Sequence, residues 1–163
     1  QRIVKYICAM ATLTVTINES LTLNGRERGN ENSFTVESVT QAFSRVVTCP
    51  ATVETTIATF RAAVNTADSA MDLDDVKYVR VTNLNTSNDL TMSLQVSAAE
   101  SGVADASASI LLEAGKTFML GAVHDGIALD DSQDTLITSL NDLESIVIKG
   151  AAAAADVEVF VAS

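Results

Sequence analysis

At 163 residues with a net charge of −11, no Trp, two Tyr and five Phe, the chain is long enough for one aliphatic core and too acidic for a nucleic-acid binder. Residues 1–82 hold eight Lys/Arg and nine Asp/Glu, whereas residues 83–163 hold two and twelve. This acidic half reads as a solvated surface, with docking through the near-neutral half as the alternative. No apolar run approaches the ~20 residues of a membrane helix.

Gln1 is not an initiator residue, so residues 1–9 read as a processed start, an upstream extension or an arm. Arg2 and Lys5 stand among Ile3, Val4, Tyr6 and Ile7 with no acidic group in residues 1–10. Such a basic and apolar segment needs a surface to cover. We expect residues 1–10 to form an N-terminal arm with Arg2, Ile3, Val4, Lys5, Tyr6 and Ile7 as assembly contacts. An added strand on a neighbouring subunit and an edge strand of the same chain are the two alternatives. Residues 11–163 are expected to form one β-sandwich domain.

Thr12 to Ile17 alternates polar and apolar residues, as a half-buried strand does, and residues 20–23 extend it. Asn24-Gly25 signals a turn. The polar run from Arg26 to Asn32 suggests a protruding loop rather than a tight hairpin, after which Phe34-Thr35-Val36 resumes extended structure. Residues 39–48 fit both a helical and a strand period; their valines and threonines favour one strand, ended by Pro50. Residues 55–60 make another strand. A short helical turn is expected near residues 67–73.

From residue 76 onward the alternation is plain. Strands are expected at 76–82, 90–97, 107–113, 116–120, 134–139, 143–149 and 156–162. Leu90, Met92, Leu94 and Val96 should point inward together. Val157, Val159 and Val161 should do the same with Phe160 on the opposite face. Ala151–Ala155 reads as a loop or helical turn at a hairpin tip. Short strands joined by polar turns predict an all-β, antiparallel β-sandwich that is jelly-roll-like.

The chemistry is sparse. His124 and Asp125 are sequence neighbours, so on a strand their side chains diverge. His124 is read as a loop residue, and Asp125 with Gly126 as a turn. Asp72, Asp74 and Asp75, and Asp130, Asp131 and Asp134, resemble calcium-ligating clusters but lack the helix–loop–helix spacing, so solvated turns are preferred. Glu113 with Asp125 as a glycosidase pair has no geometric support. Cys8 and Cys49 read as two free thiols, with a disulfide between them as the alternative. We expect no catalytic residue, no metal ligand, no cofactor and no small-molecule substrate.

The run Lys77-Tyr78-Val79-Arg80-Val81-Thr82-Asn83-Leu84-Asn85 precedes an alternating strand and then Leu112-Glu113-Ala114-Gly115-Lys116-Thr117-Phe118-Met119-Leu120. Together with Met10 to Leu23 and Glu158 to Val161, this resembles small virion structural proteins of tailed phages, particularly marine ones. The resemblance implies a capsid decoration protein, or a head–tail or tail component. Its partners would be itself, a major capsid protein or a tail protein, with no nucleic acid or membrane, and its location the virion. It also implies an Ala-Gly hairpin closing the sheet after residue 112. The rival reading is a secreted or cell-surface filament or adhesive subunit that exchanges its N-terminal arm.

Overall fold

The computed structural model describes residues 10–61, 71–72, 75–96, 106–121, 127–129 and 140–163. These form fourteen strands: β1 (Ala11–Asn18), β2 (Thr22–Leu23), β3 (Arg26–Glu27), β4 (Glu31–Val39), β5 (Ala42–Cys49), β6 (Glu54–Arg61), β7 (Met71–Asp72), β8 (Tyr78–Asn83), β9 (Leu90–Val96), β10 (Ala106–Leu112), β11 (Thr117–Gly121), β12 (Ala128–Leu129), β13 (Asn141–Gly150) and β14 (Ala155–Ala162). The fold is all-β, and every strand pair is antiparallel except β6 with β7.

Two sheets carry the core. One runs β11-β8-β14-β5, and the other runs β10-β9-β13-β6-β7 with β12 beside the start of β13. The alternating sequences dictate how they face each other. Val79 and Val81 of β8 and Val157, Val159 and Val161 of β14 point to the six-stranded sheet. That sheet answers with Leu90, Met92, Leu94, Ile146, Ile148, Ile57 and Phe60. Leu90, Met92, Leu94 and Val96 are all buried, and Phe160 lies on the outer face. Burying each such side chain stabilises the fold by about 1.5–3 kcal/mol before entropy is counted.

Two β-bulges explain where the inward pattern departs from a strict period of two. In β6, Ile57 is an extra residue between the positions opposite Ile146 and Val147. In β13, Glu144 is extra between the positions opposite Val96 and Gln95. Each insertion shifts parity by one, so Ile57 and Ala58 are both buried, and so are Leu143 and Ile146. Arg45, on the edge strand β5, donates from its guanidinium to the carbonyl of Ile57 across the open side of the sandwich. The same guanidinium lies 5.5 Å from the centre of the Phe43 ring.

Asn83 closes one end of the sandwich. It is fully buried, at 0% exposure. Its Nδ2 donates to the carbonyls of Asn88 (2.8 Å) and Leu112 (3.1 Å). Its Oδ1 accepts from the backbone N–H and the Nδ2 of Asn85 (3.1 and 2.9 Å). Asn83 ends a strand of the four-stranded sheet, and Leu112 ends one of the six-stranded sheet. One amide therefore shapes the turn at 84–89 and ties the two sheets together.

Four local expectations are corrected. Within the expected helical turn at 67–73, Met71 and Asp72 are a strand pairing in parallel with Phe60 and Arg61; the rest of that span lies outside the described residues. Residues 39–48 are not one strand. The chain breaks at Thr40 and Gln41, whose N–H groups both donate to the Ser163 carbonyl (2.6 and 3.0 Å). Ala151–Ala155 is not a hairpin tip, because β13 and β14 lie in different sheets. Likewise the turn after Leu112 leads from one sheet to the other rather than closing a hairpin. Sequence alternation marks each strand but does not say which sheet it joins. The expected strand at 134–139 lies outside the described residues.

Candidate assembly surfaces

The first 39 residues are neutral, with four Lys/Arg and four Asp/Glu, while residues 40–163 hold six and seventeen. Within the neutral part, β1 pairs β4 and β2 pairs β3. The two pairs are one hairpin. The register runs without slip from Leu13 opposite Val36, through Asn18 opposite Glu31, to Leu23 opposite Arg26. Glu19 N–H to the Asn30 carbonyl (2.8 Å) and Arg28 N–H to the Leu21 carbonyl (2.7 Å) bridge the interval. At ~3.3 Å per residue this ribbon is roughly 35 Å long.

The ribbon ends in a two-residue turn, not in the protruding loop expected from its polar sequence. Asn24 and Gly25 both have positive φ, 52° and 72°. That is the type I′ geometry that Asn-Gly favours and that matches strand twist. Glu27 reinforces the tip. Its carboxylate accepts from the N–H groups of Gly29 (2.7 Å), Leu21 (2.8 Å) and Arg28 (3.1 Å), and from the Thr22 hydroxyl (3.3 Å). These bonds, led by Gly29 and then Leu21, hold its pKa below the ordinary glutamate value. Gly29 is required by close approach: a Cβ there would stand 1.8 Å from the Glu19 carbonyl oxygen.

An unbroken register gives the ribbon two different faces. One carries Leu13, Val15, Ile17, Glu19, Leu21 and Leu23 with Arg26, Arg28, Asn30, Asn32, Phe34 and Val36. The other is mostly Thr, Ser, Asn and Glu. The near half of the first face packs on the outside of the four-stranded sheet. Leu13, Val15, Phe34, Val36 and Val39 form a second apolar cluster there with Tyr78, Phe160 and Ala162. The Tyr78 ring lies 6.4 Å from Phe34 and 6.0 Å from Phe160. Lys77 donates to the Ser38 carbonyl (3.0 Å) where β4 bulges beside Val39. The far half has no such cover among the described residues. From Thr16 to Ser33 every residue is exposed except the half-buried Ile17 and Gly29.

Among the described residues, nothing covers the remainder of the four-stranded sheet's outer face. Register aligns Ser44, Phe160, Arg80 and Met119 in one row across it, and Val46, Glu158, Thr82 and Thr117 in the next. Val46 and Met119 are exposed. Arg80 pairs with Glu158 at 3.0 Å, and Asp156 accepts from the Thr48 hydroxyl at 2.6 Å.

The outer face of the six-stranded sheet is hydroxylic. Thr91, Ser93, Gln95, Ser107, Ser109, Val147, Lys149 and Glu54 line a shallow depression of about 340 Å³. Gln95 Nε2 donates to the Ser93 hydroxyl (2.7 Å), and Lys149 pairs with Glu54 at 3.3 Å.

The candidates named from sequence fare unevenly. Arg2, Ile3, Val4, Lys5, Tyr6 and Ile7 lie outside the described residues, as do Cys8, His124, Asp125, Asp74, Asp130, Asp131 and Asp134. Among the described residues no three His, Cys, Asp or Glu side chains come together as a metal site. Cys49 is a buried thiol, and burial pushes its pKa up. The two-faced ribbon escaped the sequence reading. Its signal was present in the odd-numbered apolar residues from Leu13 to Leu23, broken only at Glu19 and running up to Asn24-Gly25. No family model matches the chain, and neither does any curated protein or solved structure.

Proposed function

We propose that the chain is a non-enzymatic virion structural protein that decorates and stabilises a phage particle, acting through sheet and ribbon contacts with itself or with a capsid or tail protein. The observation that carries this reading is the ribbon of residues 11–39. An isolated two-stranded hairpin is marginally stable in water. This one is braced at its base by an apolar cluster and at its tip by Glu27, and between them it holds apolar and arginine side chains out into solvent. Such a device is suited to gripping another protein.

The body supports the reading through its strand order. Counting the eight long strands from β5 onward, one sheet runs first-eighth-third-sixth and the other second-seventh-fourth-fifth. We read this order as the double Greek-key wrap of a jelly roll, an architecture used by viral capsid and lectin domains and by cupins. The residues Arg2, Ile3, Val4, Lys5, Tyr6 and Ile7 add a second grip on a neighbouring subunit. The test is a copy count by quantitative mass spectrometry of purified virions from the source. A fixed ratio to the major capsid or tail protein, lost on removal of residues 1–39, is expected. Absence from the particle would overturn the proposal.

A further inference from the structure

We propose that the far half of the ribbon docks on a second copy of this chain, laying Ile17, Leu21 and Leu23 on the open strip of that copy's four-stranded sheet around Phe160, Val46 and Met119. This rests on the self-association part of the function proposed above and assigns it a donor and an acceptor surface.

Three observations converge. First, one continuous face of the ribbon is used at one end and vacant at the other. Its near half already covers Tyr78, Ala162 and part of Phe160 within the same chain. The same face, carried past Thr16, presents apolar side chains to water, with Leu21 and Leu23 55% and 54% exposed. Second, the four-stranded sheet offers a matching vacancy. The rows beyond the covered one hold Met119 at 43% and Val46 at 59% exposure, with the half-buried Phe160 between their strands. The contact would extend an apolar interface that the chain already forms with itself. Third, the charges agree. Arg26 stands opposite Leu23 and Arg28 opposite Leu21, and Glu19 is the one acidic residue on this face, so its far half is net positive by one. The receiving strip carries Asp156 and Glu158 against one cation, Arg80, which pairs with Glu158 at 3.0 Å, so it is net acidic, in a body whose acidic residues far outnumber its basic ones. Arginines flanking an apolar stripe would be steered to such a surface and set in register on it.

A second copy fits better than an unrelated partner because both surfaces are on this chain. The near half shows, residue by residue, that this ribbon face and this sheet face are compatible. Each copy has one ribbon and one strip, so the contact either closes, as a two-fold pair or a ring, or propagates as an open filament.

The test uses the full chain. Sedimentation equilibrium should show reversible self-association that weakens by roughly tenfold or more in Leu21→Asp/Leu23→Asp. Both positions are exposed, so the melting temperature should not move at concentrations low enough for both proteins to be monomeric. Arg26→Glu/Arg28→Glu provides a second variant that leaves the apolar residues intact, and it should weaken association in the same direction. For the receiving face, in a Cys8→Ser background, a Leu23→Cys chain is mixed with a Met119→Cys chain. Mixed disulfide should form more readily than with a Ser109→Cys chain, whose thiol lies on the six-stranded sheet. A monomer throughout the micromolar range, association unaffected by both ribbon variants, or equal trapping at Met119→Cys and Ser109→Cys would each overturn the inference. A monomeric chain found in virions at fixed ratio would defeat this inference and leave the proposed function standing. A ribbon-linked oligomer absent from virions would do the reverse.

Discussion

Replacing Asn83 by alanine should cost more than its place at the end of a strand suggests. The side chain makes four hydrogen bonds within the protein and has no contact with solvent. The bond to the Leu112 carbonyl is itself buried, and stranding a buried acceptor costs about 1–3 kcal/mol. The other three bonds are only partly buried, so water can replace part of each, at about 0.5 kcal/mol lost apiece. The expected loss is therefore about 3 kcal/mol, which lowers the melting temperature by roughly 6–12 °C for a chain of this size. Asn83→Asp should be no better, because it loses both donated bonds and brings a charge into a dry site. Asn85→Ala is the comparison: that residue is half-buried, and losing it should cost about 1 kcal/mol. Urea denaturation of the three variants gives the free energies. If Asn83→Ala lies within about 1 kcal/mol of wild type, or no lower than Asn85→Ala, then this amide does not tie the two sheets together.

Three further outcomes follow from the described geometry. Leu94→Ala removes a buried side chain at the centre of the six-stranded sheet and should cost about 2–5 kcal/mol by urea melt, whereas Thr91→Ala on the exposed face should fall within about 0.5 kcal/mol. The Glu27 pKa is lowered in the folded ribbon, so its contribution is present above the ordinary glutamate value and is lost as the pH falls through the folded one. Amide resonances of Leu21, Arg28 and Gly29 should therefore shift together in that acid window in an NMR titration, and Glu27→Gln should abolish the shared transition. Burial raises the Cys49 pKa, so in a Cys8→Ser chain no thiol should react with an aromatic disulfide at mildly alkaline pH until denaturant is added.

How much of this was legible in the sequence depended on how many neighbours each element needs. A strand with one buried face writes that face into every second residue, so Leu90 to Val96 and Val157 to Val161 could be read with their inward sides correct. Sheet membership is written nowhere so local. β13 and β14 look like a hairpin because only five alanines separate two strong alternations. Yet Gly150 ends one strand in the six-stranded sheet and Ala155 begins the next in the four-stranded one. Bulges were invisible for the same reason. The extra residue at Ile57 is defined by what stands opposite it on β13, not by its own neighbours in the chain. Asn83 stands in the sequence only as one of the residues after the strand at 76–82; its burial follows from Leu112, 29 residues later.

The ribbon shows the opposite error, in which local signals were present but weighed against one another. Asn24-Gly25 spoke for a tight hairpin, while the charged and amide residues from Arg26 to Asn32 spoke for a solvated loop. Both describe the same object. A ribbon standing away from the body is solvated on both edges and on its hydroxyl face, so its returning strand must be polar in composition even though it is regular in structure. Glu27 turns that polarity into order by binding three backbone N–H groups that a loop would have left to water. Polarity alone therefore did not separate loop from ribbon here. What separates them is whether the apolar residues on the outgoing strand keep their period up to the turn. Leu13, Val15, Ile17, Leu21 and Leu23 do so, interrupted only by Glu19. Leu21 and Leu23 add nothing to the core of their own chain and sit on a hairpin too thin to bury them. A contribution from them needs a surface outside the ribbon, and that is the reason the proposed function is placed on the ribbon rather than on the depression of the six-stranded sheet.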